Sequence, residues 1–235
     1  MRTLSLVIPV YNAQDLLDKI LRHVPDLSTT AKKCGFEQIE TVVVDDGSRH
    51  PATIAPEFAD TVKLLRNNRN RGKGFSVRRG ALSAAGDWVL MSDVDESAPL
   101  TEFVHLAPKA DKAIVCGSRF GRDRRPWLRR MLSRIFNKLS GTGLKDTQCG
   151  FKLFNMALMR PVFESQRTER FAFDVELIRN APSVAEVPVK WFGRKRSSLI
   201  VKKDAPRMLF DLVSIRWGAN HRSASITTPA HGERP

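Results

Sequence analysis

Two aspartates one residue apart, Asp93 and Asp95, stand in the stretch VLMSDVDESAP, from Val89 to Pro99. They follow a short apolar run and a proline stands just beyond them. Mg2+ and Mn2+ are hard cations that take oxygen ligands, and Mg2+ is commonly held by one or two carboxylates plus substrate phosphates. On an extended segment alternate side chains share a face, so Asp93 and Asp95 can aim at one ion. The competing reading is a solvated turn after a strand, and a D-x-D pattern alone does not separate the two.

Two further stretches carry groups that can do chemistry. In NRNRGKG (Asn68 to Gly74) the glycines let the backbone approach a ligand, and the helix start that follows favours anions. Lys73 can reach a phosphate or a ribose there. The spacing is not that of the G-x-x-x-x-G-K-[ST] phosphate loop, and a basic turn is the alternative. In VVVDDGS, Asp45 stands at a strand end, where it can accept hydrogen bonds from a base or ribose, or serve as a turn or cap acid.

The elements that must position these groups read as strands alternating with helices. TLSLVIPV (Thr3 to Val10), IETVVVDDGS, TVKLLRN, DWVLMSDVD and KAIVCGSRF are five strand candidates. AQDLLDKILRHV, with Leu16, Leu17, Ile20, Leu21 and Val24 at helical spacing, predicts one helix, and GFSVRRGALSAA another. This alternation predicts an α/β domain with a mainly parallel sheet covered by helices on both faces. Three strands end in PVYN, DDGS and SDVD, and in such sheets ligands bind outside the carboxyl ends of the strands. The three loops are therefore expected to meet at one pocket. The chain of 235 residues suits a single domain over 1–218, with a tail from Ala219 to Pro235 that lacks periodicity.

Composition adds a charge argument. The 39 Lys and Arg against 25 Asp and Glu leave a formal +14, which favours polyanions such as phosphates or an anionic membrane surface. Aromatic residues are not interleaved with the basic ones as base-stacking platforms require, so nucleic acid is not an expected partner. Cys34, Cys116 and Cys149 are odd in number and far apart, without metal-ligand spacing, which suits a reducing compartment. No apolar run reaches the roughly 18–20 residues needed to span a bilayer, and the chain enters LSLVIPV with no signal-peptide pattern before it. The expected location is cytoplasmic, peripheral on a membrane face.

RPWLRRMLSRIFNKLSG (Arg125 to Gly141) gives a reason for the membrane. Leu128, Met131, Leu132, Ile135, Phe136 and Leu139 recur at helical spacing, Arg130, Arg134 and Lys138 lie on another face, and Trp127 stands at the start. That is the pattern of an interfacial helix, in which each basic residue near an anionic surface contributes about 1 kcal/mol. The alternative is an ordinary surface helix packing its apolar face on the core.

Taken in order, SLVIPVYNAQ, TVVVDDGS, NRGKGFSVRRGAL, GDWVLMSDVDESAPL, VCGSRF, KDTQCGFKLF, FDVELI and EVPVKWF resemble the family 2 glycosyltransferases of the Rossmann-like GT-A fold. The resemblance runs from Thr3 to Trp217. It looks most like the polyprenyl-phosphate branch, the dolichyl-phosphate glucosyl- and mannosyltransferases, with DTQCGFKLF and EVPV leaning to the glucosyl side. It implies a hexose transferase that inverts the anomeric carbon, a nucleoside diphosphate sugar donor (UDP-glucose ahead of GDP-mannose), Mg2+ or Mn2+, and a polyprenyl phosphate acceptor. It implies that Pro9, Tyr11, Val43 and Asp45 line the nucleoside pocket and that Lys73 and Gly74 belong to the glycine-rich loop. Asp93, Val94 and Asp95 match the motif that reaches the diphosphate through a metal, with Asp95 the direct ligand. Arg119 matches a basic residue near the transferring phosphates; Gln148, Asp174 and Glu176 fall on the sugar and acceptor side. Trp127, Arg130, Arg134, Ile135, Phe136 and Lys138 are then expected to meet the membrane and its lipid.

Two positions depart from the family pattern. Ala13 stands where a glutamate usually follows YN, and Leu199 replaces the lysine of a late Ser-Lys pair, whose phosphate contact Arg194, Lys195 or Arg196 can replace. A different acceptor such as a polysaccharide, a non-catalytic basic membrane-surface protein, and a separate membrane protein as partner stay open on the sequence.

Overall fold

The β-branched run at the N-terminus forms β1 (Arg2–Val10), and in the computed structural model it lies near the middle of a sheet. The structure describes residues 1–119, 127–170 and 172–192. These fall within one unit, Met1–Ser197. The boundary expected near residue 218, the tail beyond it, and Arg194, Lys195, Arg196 and Leu199 lie outside the described residues.

After β1 come α1 (Gln14–Leu21), α2 (Val24–Lys33), β2 (Phe36–Asp45), β3 (Val62–Arg66), α3 (Lys73–Ser83), β4 (Trp88–Ser92), the short α4 (Phe103–Leu106) and β5 (Ile114–Ser118). Then follow α5 (Trp127–Ser140), β6 (Phe151–Asn155), α6 (Met156–Ser165), α7 (Phe173–Asn180) and β7 (Val184–Pro188). Among the described residues seven strands form one sheet, in the order β3-β2-β1-β4-β6-β5-β7. β1 to β4 run parallel, β6 runs antiparallel to both β4 and β5, and β7 pairs parallel with β5.

Strand alternation builds two apolar layers. Leu4, Leu6, Ile8 and Val43 point into one with Leu17, Ile20, Leu27 and Phe103, beneath α1, α2 and α4. Val7, Val42 and Val44 point into the other with Val77, Ala81, Phe163 and Leu177, beneath α3, α6 and α7. Helices therefore cover both faces, as the motif order implies.

Three local expectations are corrected. The helix expected over Ala13 to Val24 is α1 and stops at Leu21, and a second helix, α2, starts at Val24 with Pro25 in its first turn, where no N–H is needed. The polar VPDLSTTAKK of α2 gave no sequence signal. Two strands beyond the expected five complete the sheet: β6, whose apolar run is interrupted by Lys152, and the half-buried edge strand β7.

Candidate active site

β1 and β4 are neighbours, yet the connections leaving them go to opposite sides of the sheet. This reversal opens a crevice at the carboxyl ends of the strands, the ordinary ligand position of open α/β sheets. The loops after β1, β2 and β4 end there. The antiparallel register of β6 on β4, Ser92 opposite Phe151, brings the segment before β6 to the same edge.

β4 stops at Ser92, so the acids sit in a turn rather than on the extended segment assumed from the sequence. Asp93 N still donates to Gly150 O at 3.1 Å, and Glu96 N then donates to Asp93 O at 2.9 Å. Glu96 takes φ +49°, and its carboxylate meets His23 Nδ1 at 2.6 Å, pinning the turn to the α1–α2 corner. Val94 packs against the apolar core. A side chain at position 150 would land 1.8 Å from Asp93 Oδ2, so only glycine admits this approach.

The turn still brings the two carboxylates into one electrostatic site. Burial, and then the Asp93 charge, push Asp95 above the ordinary aspartate range against the pull of Ser97 and Lys73. Asp95 Oδ1 accepts from Ser97 N at 3.0 Å, and Lys73 Nζ stands 2.5 Å from Asp93 Oδ1. No cluster of three or more His, Cys, Asp or Glu occurs among the described residues. A cation here would need ligands from a bound phosphate, which is the usual habit of Mg2+. Half-buried acids that repel one another fit that demand.

Lys73 opens α3, and its loop is built from two sides. Asp46 accepts from Asn67 Nδ2 (2.8 Å), Arg71 N (3.0 Å) and Gly72 N (2.8 Å). Gln166 Nε2 donates to Gly74 O at 3.0 Å. The space beside Gly74 is taken by Phe173 and Thr168, so this glycine serves packing within the chain rather than the expected approach of a ligand. Asp46 was missed on the sequence; its signal was the second acid of DDGS.

Asp45 also differs from expectation. It is buried, Oδ1 accepts from Ser48 N (2.9 Å), and Oδ2 accepts from Ala52 N (3.1 Å) and Arg66 Nη1 (2.6 Å). Burial pulls its pKa up, but these bonds and the Arg66 charge outweigh it and hold the carboxyl below its usual range. Its acceptors are thus used in shaping the DDGS turn. Val43, expected at the nucleoside pocket, is fully buried, because alternation along β2 turns its side chain into the core. Pro9 is half-buried at the end of β1, and Tyr11 is 48% exposed at the crevice edge. Ala13 packs against the core, while the adjacent Gln14 exchanges hydrogen bonds with the backbone of Thr53.

Arg119 follows β5 and is buried against an acid that the sequence did not pair with it. Its Nε and Nη2 donate to Asp146 Oδ2 and Oδ1, each at 2.6 Å, and its guanidinium lies 5.0 Å from the Trp191 ring centroid. Burial would raise the Asp146 carboxyl, but the Arg119 hydrogen bonds and charge hold it below its usual range. Lys145 N and Asp146 N donate to Glu186 on β7, at 3.0 and 2.9 Å. Gln148 is half-buried.

Asp174 lies within electrostatic reach of Lys73 and Asp93. It stands 2.7 Å from Nζ of the fully buried Lys152. Burial disfavours that ammonium, yet the Asp174 charge keeps it protonated, above its ordinary range. Glu176 accepts from Arg167 N (2.9 Å) and Thr168 N (2.7 Å), so it organises the loop that braces Gly74. Burial pushes the Cys116 and Cys149 thiols up to about 12, which leaves them inert.

Helix α5 exposes part of its apolar stripe. Met131, Ile135 and Leu139 are 41%, 48% and 45% exposed, and Arg134 and Lys138 are exposed beside them. Asn137 and Ser140 face inward, and Phe136 is half-buried. Among its described side chains, the polar Asn137 and Ser140 are buried, and the apolar Met131, Ile135 and Leu139 face out. The side chains of Trp127, Leu128, Arg130 and Leu132 lie outside the described residues. No helix among the described residues is long and apolar enough to cross a membrane.

A cavity of about 940 Å3 opens at the other edge of the sheet, where strands begin, lined by Met1, Arg2, Gly35, Trp88 and Arg160 among others. None of Asp93, Asp95, Lys73 or Asp174 lines it, and the amino ends of parallel strands are not where such sheets hold ligands.

Comparison with known proteins gives the family and the fold. The family model described as glycosyl transferase family 2 matches residues 5–165. A dolichyl-phosphate beta-glucosyltransferase of Dictyostelium discoideum is 34% identical, covering 91% of this chain and 74% of its own. One from Mus musculus is 32% identical, covering 92% and 75%. Glucosyl-3-phosphoglycerate synthase from Mycobacterium tuberculosis, solved with Mn2+, UDP and glucosyl-3-phosphoglycerate, superposes with a TM-score of 0.66 at 16% identity, over 92% of this chain and 79% of that one. The fold is that of the GT-A glycosyltransferases.

Proposed function

The chain belongs to glycosyl transferase family 2, and on that footing we propose that it transfers glucose from UDP-glucose to a polyprenyl monophosphate of the dolichyl type at a membrane surface. The observation that carries this reading is the run of relatives named dolichyl-phosphate beta-glucosyltransferase, at 34% and 32% identity over nine-tenths of the chain. The exposed Met131, Ile135 and Leu139 of α5, flanked by Arg134 and Lys138, support a lipid-borne acceptor reached at an anionic bilayer. We place the protein peripherally on the cytoplasmic face, whose anionic leaflet suits the basic flank.

The residues divide the work. Asp95, with Asp93 beside it, would hold Mg2+ or Mn2+ together with the donor diphosphate. The ion would supply charge neutralisation on the leaving diphosphate. Lys73, poised on Asp93, reaches the same phosphates when the donor enters. Arg119, set by Asp146, offsets the repulsion between two anionic reactants. The acceptor, a phosphate monoester with a second pKa near 6, is mostly a dianion at pH 7 and needs no strong general base. Asp174, already paired with Lys152, then positions groups rather than removing a proton. Direct attack by the phosphate inverts the anomeric carbon and leaves a β-linked lipid-phosphate sugar.

A panel of radiolabelled nucleotide sugars with polyprenyl phosphate, with and without Mg2+ or Mn2+, tests this. UDP-glucose is expected to label the lipid only with metal. Labelling of a sugar oligomer in place of the lipid would move the acceptor to a polysaccharide, and no labelling of either would leave a non-catalytic membrane-surface protein.

The membrane reading has its own test. Met131→Glu with Ile135→Glu puts two charges on the exposed stripe without touching the docked side. Co-sedimentation with anionic vesicles is expected to fall at least tenfold, from the lost apolar burial of two side chains at roughly 1.5–3 kcal/mol each, with the melting temperature unchanged. Unaltered vesicle binding in the folded double variant would refute it.

A further inference from the structure

We infer that Asn137 is a positioning residue that couples the membrane-facing helix α5 to the Arg119–Asp146 pair. The inference rests on the membrane-acceptor reading above. It starts from a side of α5 that this reading does not use.

Asn137 sits two residues from Ile135, so at about 100° per residue it points away from the exposed stripe. It is buried, and both ends of its amide are engaged. Oδ1 accepts from Thr147 Oγ1 at 2.7 Å and from Thr147 N at 3.3 Å, and Nδ2 donates to Lys145 O. These bonds bracket Asp146, whose carboxylate grips Arg119 at both Nε and Nη2. A buried asparagine that lost these partners would leave polar groups unmet, so the bonds hold helix and segment together.

The same segment is held independently from the sheet. Glu186 on β7 accepts from Lys145 N and Asp146 N. Two grips on three residues have different consequences. The Glu186 grip fixes Arg119 relative to the sheet and therefore to Asp93 and Asp95. The Asn137 grip fixes α5, and with it the bilayer plane, relative to Arg119. An acceptor phosphate carried at the membrane surface is delivered at a height set by α5, so the second grip determines whether it meets Arg119. A soluble acceptor arrives from any direction and does not need it.

Asn137→Ala separates these consequences, because Glu186 still holds Asp146 in the variant. With polyprenyl phosphate in anionic vesicles, kcat/KM is expected to fall roughly ten- to hundred-fold, the penalty for misplacing reactants by about an ångström. With a short water-soluble polyprenyl phosphate the change is expected to stay within about twofold. Vesicle co-sedimentation and UDP-glucose affinity are expected to match the unaltered protein. Thr147→Val, which keeps shape and removes one donor to Asn137, provides a milder version should the alanine variant fold poorly, with the same preference for the soluble acceptor. Equal losses on the two acceptors would mean a merely structural role and overturn the coupling, leaving the proposed function standing. Failure of the unaltered protein to bind vesicles would overturn both.

Discussion

Replacing Asp95 by asparagine is expected to cut sugar transfer about a thousand-fold while leaving the melting temperature unchanged or slightly higher. The activity loss follows from removing a metal ligand whose ion is worth several kcal/mol of charge stabilisation, at about 1.4 kcal/mol per tenfold in rate. The stability expectation follows from the sign of the pKa shift. Burial and the nearby Asp93 charge raise the folded-state pKa of Asp95, so the ionised form is the less favoured one in the folded protein. Wherever Asp95 is ionised that charge costs stability, and a neutral isostere removes the cost. Asparagine Oδ1 can still accept from Ser97 N, which is 3.0 Å away in the native turn. Transfer assays and thermal scans at pH 7 check the two halves together. Full activity would sink the metal assignment, and a large fall in melting temperature would show that the turn depends on the charge.

Removing the Asp146 carboxylate is expected to act in the opposite sense, on stability first. Arg119 and Asp146 are both buried, and they share three hydrogen bonds. Asp146→Ala takes one partner out of a buried ion pair, which typically costs about 3–5 kcal/mol. The denaturation midpoint should drop accordingly at constant slope, and transfer should fall with it because Arg119 is no longer aimed. The pH dependence has a definite sign. Arg119 holds the folded pKa of Asp146 below its unfolded value of about 3.9. The stabilisation is therefore complete above that unfolded value and is lost as pH falls through the lower folded value. Asp146→Asn should flatten the acid slope of stability in that window. A slope equal to that of the unaltered protein would show that the pair carries no such linkage.

Much of the fold was legible because its signals are local. The β-branched runs of β1, β2 and β4 and the punctuation after them need no knowledge of distant chain. β6 was not legible as a strand of its own, because Lys152 breaks its apolar run, and that lysine is tolerable inside only because Asp174 arrives from α7. Asp45 and Val43 show the same limit within one strand. Their types suit a nucleoside pocket, but the closing of the DDGS turn on Ala52 and Arg66, and the side of the sheet that Val43 faces, are decided by neighbours.

The sequence by itself determined the family, the first five strands with the helices α1, α3 and α5, and the acids at the end of β4, since each is a matter of residue type and short spacing. Tertiary structure alone decided that Asp93 and Asp95 share a turn rather than a strand face, and that Arg119 is gripped by an acid 27 residues away. It also decided which side of α5 docks. Helical periodicity states where the apolar stripe lies, but not whether the core or the solvent receives it. That choice belongs to Asn137 and Ser140, whose polar atoms find partners inside and leave Met131, Ile135 and Leu139 facing out.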